Sequence, residues 1–336
     1  MTSVAAAPST EQVSGDLAPA ELGRVLVLAG GLTYERDVSL RSGRRVVDAL
    51  KSVGTEAILA DADGALLGLL ADLGPAVVMI ALHGGAGEDG AVRGVLECAG
   101  VPYVGTSPAA SRLAFDKPSA KELVRRAGLA TPDWVAVPHS TFRELGASGV
   151  LGAIVAKLGL PLMVKPAQGG SALGATAVTQ VEDLPSAMVT CFSYGPTALV
   201  ERFVTGVEVA VSVVEPDGPG SAIALPPVEI TAPAGGYDYM ARYTAGETDF
   251  HIPARLDAAT IETLKEAALT AHRVLGLRDI SRTDAIVTDD GTVHFLEVNV
   301  SPGLTETSTL PLAAAAAGLD IGVLYRNLLA HATRRG

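Results

Sequence analysis

Two acidic residues near the carboxyl end of the chain, Asp284 and Glu297, have a spacing that predicts a shared site. They lie in two β-like runs on either side of Asp290-Gly291, the dipeptide favoured in a two-residue type I′ hairpin loop. That loop would place Asp284 opposite Glu297 and Arg282 opposite Asn299. Opposed carboxylates repel each other, whereas a divalent cation between them reverses the sign, because carboxylate and amide oxygens suit Mg²⁺. The spacing therefore predicts either a Mg²⁺ site or a solvated acidic face on the hairpin.

A second candidate site is a glycine-rich loop that follows an apolar strand. Lys165 ends the strand, and the loop after it contains Gly169, Gly170, Ser171 and Gly174. Glycines let backbone N–H groups approach an anion closely, and a lysine at the strand end supplies a point charge for phosphate oxygens. The loop is not a Walker A motif, and a flexible hairpin loop is the alternative. We predict that it binds phosphate.

Two further loops follow strands nearer the amino end. The segment 83–90 has the glycine spacing of a dinucleotide-binding turn, but Glu88 and Asp89 would then face a pyrophosphate, so we expect a turn that positions His83. The alternative for His83 is a hydrogen-bonded structural residue. Glu35 lies at the carboxyl edge of the expected sheet, where open α/β sheets bind ligands, or it serves only as a favourable charge at a helix N-terminus.

The elements that must position these residues divide into three units. Apolar runs alternate with amphipathic helices up to residue 105, which predicts a parallel α/β domain over 21–105. The strands and helices after it do not alternate in this way, which predicts α+β domains over 106–204 and 205–336. We expect one helix capped at its N-terminus by Asp116 and another helix from Asp257 to Leu275. Residues 1–20, rich in Ala, Ser, Thr and Pro, are expected to form a disordered tail.

Composition narrows the classes of function. The chain has 336 residues, of which 48% are hydrophobic, and its 37 acidic residues exceed its 25 basic ones, so a nucleic-acid partner is not expected. No apolar stretch reaches membrane-spanning length and no signal peptide is recognisable, which favours a cytoplasmic enzyme without a membrane partner. Cys98 and Cys191 have no metal-ligand spacing and are expected to be reduced thiols in the core.

Together these segments resemble the D-alanine:D-alanine ligase family of the ATP-grasp fold. The resemblance spans residues 24–329 and implies three domains of α/β and α+β type, with ATP held between the last two. It rests on eight segments that follow the order of the family: GGLTYERDVSLRSG, LHGGAGEDG, YVGTSPAASRLAFDK, VKPAQGGSALG, LVERFVTGVE, GGYDYMARY, RTD and FLEVNVSPGLTETS.

The resemblance assigns roles to individual residues. The implied phosphate contacts of ATP are Lys117 and Lys165, the adenine contacts are Glu201, Arg202, Phe203 and Val204, and the ribose contact is Glu208. The implied ligands of two Mg²⁺ ions, which Mn²⁺ could replace, are Asp284, Glu297 and Asn299. The implied D-alanine contacts are Glu35 and His83 for the first molecule and Gly303 and Ser308 for the second, with Arg282 stabilising charge at the reacting carboxyl carbon and Ser171 and Tyr243 closing the site with Glu35.

The implied reaction has two steps: ATP phosphorylates the carboxylate of one D-alanine, and the amine of the second attacks the acyl phosphate. The dipeptide would serve peptidoglycan synthesis, the enzyme would be a homodimer, and the segment 233–250 would close over the site to exclude water. Gly170, Ala172 and Arg242 depart from the residues common in the family, which affects the expected lid geometry and second substrate. The alternatives are another carboxylate–amine ligase that makes a different dipeptide or a depsipeptide, a nucleotide-binding regulator without turnover, and a dehydrogenase.

Overall fold

A parallel sheet forms the first part of the fold. The computed structural model describes residues 22–170, 172–231 and 248–335, so the expected tail lies outside the described residues. The strands, paired in the order β2-β1-β3-β4, are β1 (Val25–Ala29), β2 (Ala57–Asp61), β3 (Val77–Ile80) and β4 (Tyr103–Val104), and the helices are α1 (Arg36–Ser52), α2 (Leu66–Leu73) and α3 (Ala91–Cys98). Both β1 and β3 are buried along their whole length, as the apolar runs predict. The two-residue strand β4 was not predicted.

The second sheet is antiparallel throughout. Its strands, in the order β5-β8-β6-β7, are β5 (Trp134–Pro138), β6 (Leu162–Pro166), β7 (Thr176–Val178) and β8 (Thr197–Arg202). The helices of this part are α4 (Pro108–Phe115), α5 (Lys117–Arg126), α6 (His139–Glu144), α7 (Ala147–Leu158) and α8 (Leu184–Phe192). As predicted, Asp116 caps α5, because its Oδ1 accepts a 3.0 Å hydrogen bond from Ser119 N. Helices α4, α6 and α7 were missed.

The third sheet is also antiparallel. Its strands are β9 (Val207–Val214), β10 (Ile223–Ala224), β11 (Val228–Thr231), β12 (Asp249–His251), β13 (Ile280–Val287) and β14 (Val293–Asn299). The order is β12-β11-β9-β13-β14, with β10 paired to β9. The helices of this part are α9 (Ala258–Val274), α10 (Thr309–Ala316) and α11 (Ile321–Thr333). Helix α9 confirms the predicted helix over 257–275, and Asp257 caps its N-terminus. Both antiparallel sheets confirm the α+β prediction for this part of the chain.

Helix packing ties the three sheets together and carries one site residue into place. The apolar face of α5, with Ala120 and Val124, packs on Phe295 and Val298 of β14, which brings the first residue of α5 to the hairpin. Helix α11 packs on α1, β3 and β4 of the first, parallel sheet. The sheets fall in the proposed domains 21–105, 106–204 and 205–336, while α5 and α11 pack across those limits.

Two smaller expectations concern the surface and the core. In residues 22–170, 172–231 and 248–335, no single helix is long and apolar enough to span a membrane; α10 and α11 pass that test only as a pair, and they are bent by 107°. Both cysteines are free, but only Cys191 is buried. The expectation that Cys98 lies in the core was wrong, because it falls on the outer face at the end of α3.

Candidate functional site

The hairpin β13–β14 pairs the two carboxylates as the sequence predicts, although by a different route. Asp284 lies opposite Glu297, and Arg282 opposite Asn299. The predicted two-residue loop is wrong: Thr288 N donates to Thr292 O, so three residues form the loop, with Gly291 at φ +81°. A bulge in the pairing after Asp284 shifts the register by one residue and restores the predicted partners.

Each of these carboxylates has its own cation. Arg282 binds Asp284 through two hydrogen bonds, with Nε–Oδ1 at 2.7 Å and Nη2–Oδ2 at 2.8 Å. Lys117 Nζ lies 3.3 Å from Glu297 Oε2 and donates to Gly169 O at 2.6 Å. Two negative and two positive charges therefore meet on one wall of the site. Asp284 is buried, so the alternative of a solvated acidic face is wrong.

A cavity of about 550 Å³ lies between the second sheet (β5–β8), called the central sheet below, and the third sheet (β9–β14). This volume is typical of small-molecule sites, which span roughly 300–1,000 Å³. Asp284 and Glu297 line one end. The residues that the family resemblance implies as ATP contacts also line it, and all seven are present: Lys117, Lys165, Glu201, Arg202, Phe203, Val204 and Glu208.

A buried carboxylate holds two lysines at the wall of this cavity. Lys165 Nζ lies 2.5 Å from Glu201 Oε1, and Lys121 Nζ lies 2.8 Å from Glu201 Oε2. Burial disfavours the charged form of Glu201, but the attraction of Lys165 and Lys121 outweighs it and lowers the pKa of this carboxyl. The Lys121 ammonium is fully buried, which lowers its pKa to about 8. The carboxylate thus stays ionised in a site that excludes water.

Glu35 lies at the carboxyl edge of the parallel sheet, as the sequence predicts. It precedes α1, is 7% exposed, and faces both Gly84 and Gly170 of the two glycine-containing loops. Gly84 has φ +67°, and a Cβ at this position would collide with Glu35 Oε2, so only glycine permits this approach. Ser171 and Tyr243, which the resemblance places beside Glu35, lie outside the described residues.

The ring of His83 is held by hydrogen bonds at both nitrogens. Nδ1 lies 2.9 Å from Ser301 O, and because a carbonyl only accepts, Nδ1 carries the proton. Nε2 then accepts from the Ser42 hydroxyl at 2.8 Å. Burial lowers the pKa of this imidazole, although the charge of Glu35 opposes the shift. His83 therefore joins the end of β3 to the segment after β14.

Gly303 and Ser308 lie together in the loop after β14. A Cβ on Gly303 would come within 2.5 Å of Ser308 Oγ. The Ser308 hydroxyl accepts from Thr305 N at 3.1 Å, which shapes the loop from within. Ser301 Oγ donates to Leu82 O at 2.6 Å, so this loop is fixed to the edge of the parallel sheet that carries Glu35.

Several buried polar residues of the site were missed by sequence reasoning. Glu88 accepts from Gly84 N at 2.9 Å, and burial followed by the charge of Glu35 raises its pKa to about 7. The buried Arg93 donates to Gly87 O and, at 3.3 Å, to Val300 O. Lys121 had a usable signal: it follows Lys117 by four residues on a helix whose other inward positions are apolar, which predicts a buried lysine.

Comparisons with known proteins agree with this architecture. A family model described as "D-ala D-ala ligase C-terminus" matches residues 123–330. The chain is 41% identical to a D-alanine–D-alanine ligase of Desulforudis audaxviator over 93% of its length and 99% of the relative, and 42% identical to that of Cupriavidus taiwanensis over 94% and 93%. Among solved structures it is similar to a D-alanine–D-alanine ligase of Bacillus anthracis complexed with ATP (TM-score 0.74, 28% identity, 93% and 97% covered). It is also similar to the VanG D-Ala:D-Ser ligase of Enterococcus faecalis (TM-score 0.77, 28% identity, 92% and 99% covered).

Proposed function

The chain belongs to the D-alanine–D-alanine ligase family, and we propose that it joins two D-alanine molecules into D-alanyl-D-alanine while ATP is converted to ADP and phosphate. The dipeptide would supply peptidoglycan synthesis, in a cytoplasmic homodimer. The observation that carries the proposal is the cavity between the two antiparallel sheets. It combines seven implied ATP contacts with an opposed pair of carboxylates at one end.

The nucleotide half of the site follows from the cavity lining. The segment 201–204 ends β8 and offers backbone groups to the adenine, and Glu208 on β9 stands where a ribose hydroxyl can donate to it. Lys117 and Lys165 line the cavity together with the glycine-rich loop, and we assign them to the phosphates. In the described structure both are held by carboxylates, Glu297 and Glu201, so nucleotide binding would exchange these partners for phosphate oxygens.

The donor set fits Mg²⁺. Asp284 and Glu297 face each other across the hairpin and line the cavity with hard oxygen ligands. Asn299, two residues further along β14, would add its amide oxygen, which in this structure accepts a hydrogen bond from Ser301 N at 2.7 Å. We propose two ions, with Mn²⁺ as a substitute, since it takes the same ligands. When bound, the metal supplies positive charge that neutralises the phosphate oxygens. Arg282 and Lys117 would then no longer be the main counter-ions of these carboxylates.

The amino-acid half of the site is proposed around Glu35. Its buried carboxylate would accept hydrogen bonds from the ammonium of the first D-alanine, with Arg282 stabilising negative charge that develops at the carboxyl carbon. The loop with Gly303 and Ser308 would orient the second D-alanine. His83 uses both ring nitrogens within the protein, which supports a contribution through the placement of that loop. Ser171 and Tyr243 are proposed to complete the closure that protects the acyl phosphate from water.

The test is ADP release and product analysis across a panel of D-alanine, D-serine, D-lactate and L-alanine, singly and in pairs. We expect D-alanine alone to support ADP release, with D-alanyl-D-alanine as the product by mass spectrometry. Identity of about 40% to D-alanine–D-alanine ligases over nearly the whole chain favours D-alanine as the second substrate. ADP release without dipeptide, or a mixed dipeptide or depsipeptide as the main product, would contradict the proposal.

A further inference from the structure

Lys121 is a fully buried lysine behind the wall of the nucleotide cavity. It lies on α5, one turn after Lys117, and its ammonium is 2.8 Å from Glu201 Oε2 and 5.6 Å from the ring centroid of Trp134. Among the residues that the structure describes, Glu201 and Lys165 line the cavity and Lys121 does not. A ligand in the cavity would therefore reach Lys165 and Glu201 directly and Lys121 only through Glu201.

The contact between Lys121 and Glu201 is an ion pair with poor hydrogen-bond geometry. Neither Lys121 Nζ nor Glu201 Oε2 makes a hydrogen bond, although both atoms are buried. Such a pair is a weak device for stability, because the desolvation of both groups offsets their attraction. Because the Lys121–Glu201 pair lies beside Lys165, we consider a role in ligand binding instead.

The order of the three charges, Lys121, Glu201 and Lys165, indicates the role of the ion pair. A phosphate can gain the full charge of Lys165 only if this lysine leaves Glu201 Oε1, where it lies at 2.5 Å. With a single lysine partner, the departure would strand a carboxylate that is 2% exposed, which is costly in a low-dielectric site. The second ammonium, on the far side of the carboxylate, removes that cost.

We propose that Lys121 is a positioning residue that keeps Glu201 charged and in place when Lys165 turns to the phosphates of the nucleotide. This inference rests on the proposed function, since it takes ATP as the ligand of the cavity. Lys121 acts through Glu201 and touches neither substrate. Its contribution belongs to nucleotide binding and not to the binding of either D-alanine.

The central experiment is the substitution Lys121→Met, which removes the charge and keeps most of the side-chain volume. In the nucleotide-free protein Glu201 keeps Lys165 as its partner, so the variant should fold. ATP affinity measured by calorimetry should fall roughly ten- to hundredfold, the range of one charge-assisted contact, because Lys165 is retained by Glu201. The KM for D-alanine should change less than twofold. Lys265→Met is the matched control, because it removes an ammonium from an exposed Lys–Glu pair on α9.

Two further variants separate this role from a merely structural one. Lys121→Arg should restore most of the ATP affinity, since it returns a cation beside Glu201. In the double variant Lys121→Met/Glu201→Gln no buried carboxylate is left to stabilise, so it should bind ATP as well as Glu201→Gln alone. If Lys121→Met does not fold, this double variant and Lys121→Arg still carry the comparison.

The pH dependence of ATP affinity provides an independent readout. The ammonium of Lys121 is surrounded by Glu201 and Lys165 from the central sheet, Arg125 from its own helix and His294 from β14. Burial lowers the pKa of the Lys121 ammonium to about 8, so the ATP affinity of the unmodified enzyme should fall between pH 7 and 9.5 as this charge is lost. A guanidinium stays charged over this range, so Lys121→Arg should keep its ATP affinity.

Unchanged ATP affinity in Lys121→Met would overturn the inference. The inference would also be overturned if Lys121→Met lowered ATP affinity by the same factor in the Glu201→Gln variant as in the unmodified enzyme. If the unmodified enzyme binds no ATP at all, the proposed function fails instead, and calorimetry without D-alanine distinguishes the two failures.

Discussion

Replacement of Glu297 by Gln tests whether the hairpin carboxylates form the cation site. In the nucleotide-free protein this change removes the attraction of Glu297 to Lys117 at 3.3 Å and its repulsion from Asp284 across the hairpin, two effects of opposite sign. At an effective dielectric constant of 20 these are about 5 and 3 kcal/mol for separations of 3.3 Å and roughly 5 Å. The net loss of attraction is offset because a neutral amide costs less to bury than a carboxylate, and Glu297 is mostly buried. We therefore expect the thermal midpoint without ligand to change little.

The effect should appear when Mg²⁺ and ADP are added. At a ligand concentration 100 times its Kd, binding stabilises the folded protein by about 2.7 kcal/mol. For a chain of 336 residues, with an unfolding entropy of about 2.1 cal/mol/K per residue, that corresponds to a rise of roughly 4 °C in the midpoint. Even residues that only support metal ligands change metal affinity by 10–100-fold, so loss of a ligand should cost at least as much. A hundredfold loss leaves about 0.4 kcal/mol, or roughly half a degree.

The assay is differential scanning fluorimetry of both proteins with Mg²⁺ and ADP, with ADP and a chelator, and without ligand. Asp290→Asn is the matched control, because it removes an exposed carboxylate from the loop of the same hairpin. It should retain the full ligand-induced shift. An equal shift in Glu297→Gln and the unmodified protein would refute the metal assignment, as would an unmodified protein that responds equally with chelator and with Mg²⁺.

Three further changes test other parts of the site. Lys165→Ala should weaken ATP binding roughly ten- to hundredfold with little effect on the KM for D-alanine. Unchanged ATP binding in calorimetry would show that the glycine-rich loop does not form a phosphate site with Lys165. Burial and Glu35 raise the pKa of Glu88 to about 7, so its carboxyl costs stability as pH rises above its usual pKa. The free energy of unfolding of Glu88→Gln, relative to that of the unmodified protein, should therefore rise by about 2 kcal/mol between pH 5.5 and 8.5. A difference that stays constant over this range would contradict the prediction. Burial lowers the pKa of His83, so the stability it provides above the usual imidazole pKa is lost at lower pH. The stability deficit of His83→Gln should therefore shrink between pH 7.5 and 5.5, by up to about 1.4 kcal/mol, and a deficit independent of pH would show that the ring titrates alike in the folded and unfolded protein.

Local pattern was sufficient for much of the fold. Continuous apolar runs predicted the buried strands β1 and β3, and the helix cap Asp116 was predicted because capping depends on residues three apart. Short edge strands such as β10 and β12 escaped because two or three residues carry no periodicity. The hairpin shows both sides: the loop length was wrong, and the bulge after Asp284 made the pairing of Asp284 with Glu297 right.

The sequence by itself determined which residue types are available and which edge of which strand carries them. Only the tertiary structure decided which groups meet: Lys117 with Glu297, His83 with Ser301, and Lys121 with Glu201. These contacts join residues far apart in the chain, and their strength depends on the water that packing excludes from them. The sequence can indicate that a charged residue is buried, as it does for Lys121, but it carries no local signal for the partner of that residue. The pairing therefore follows from the way α5 packs on β14 and from the contact of the end of β3 with the loop after β14.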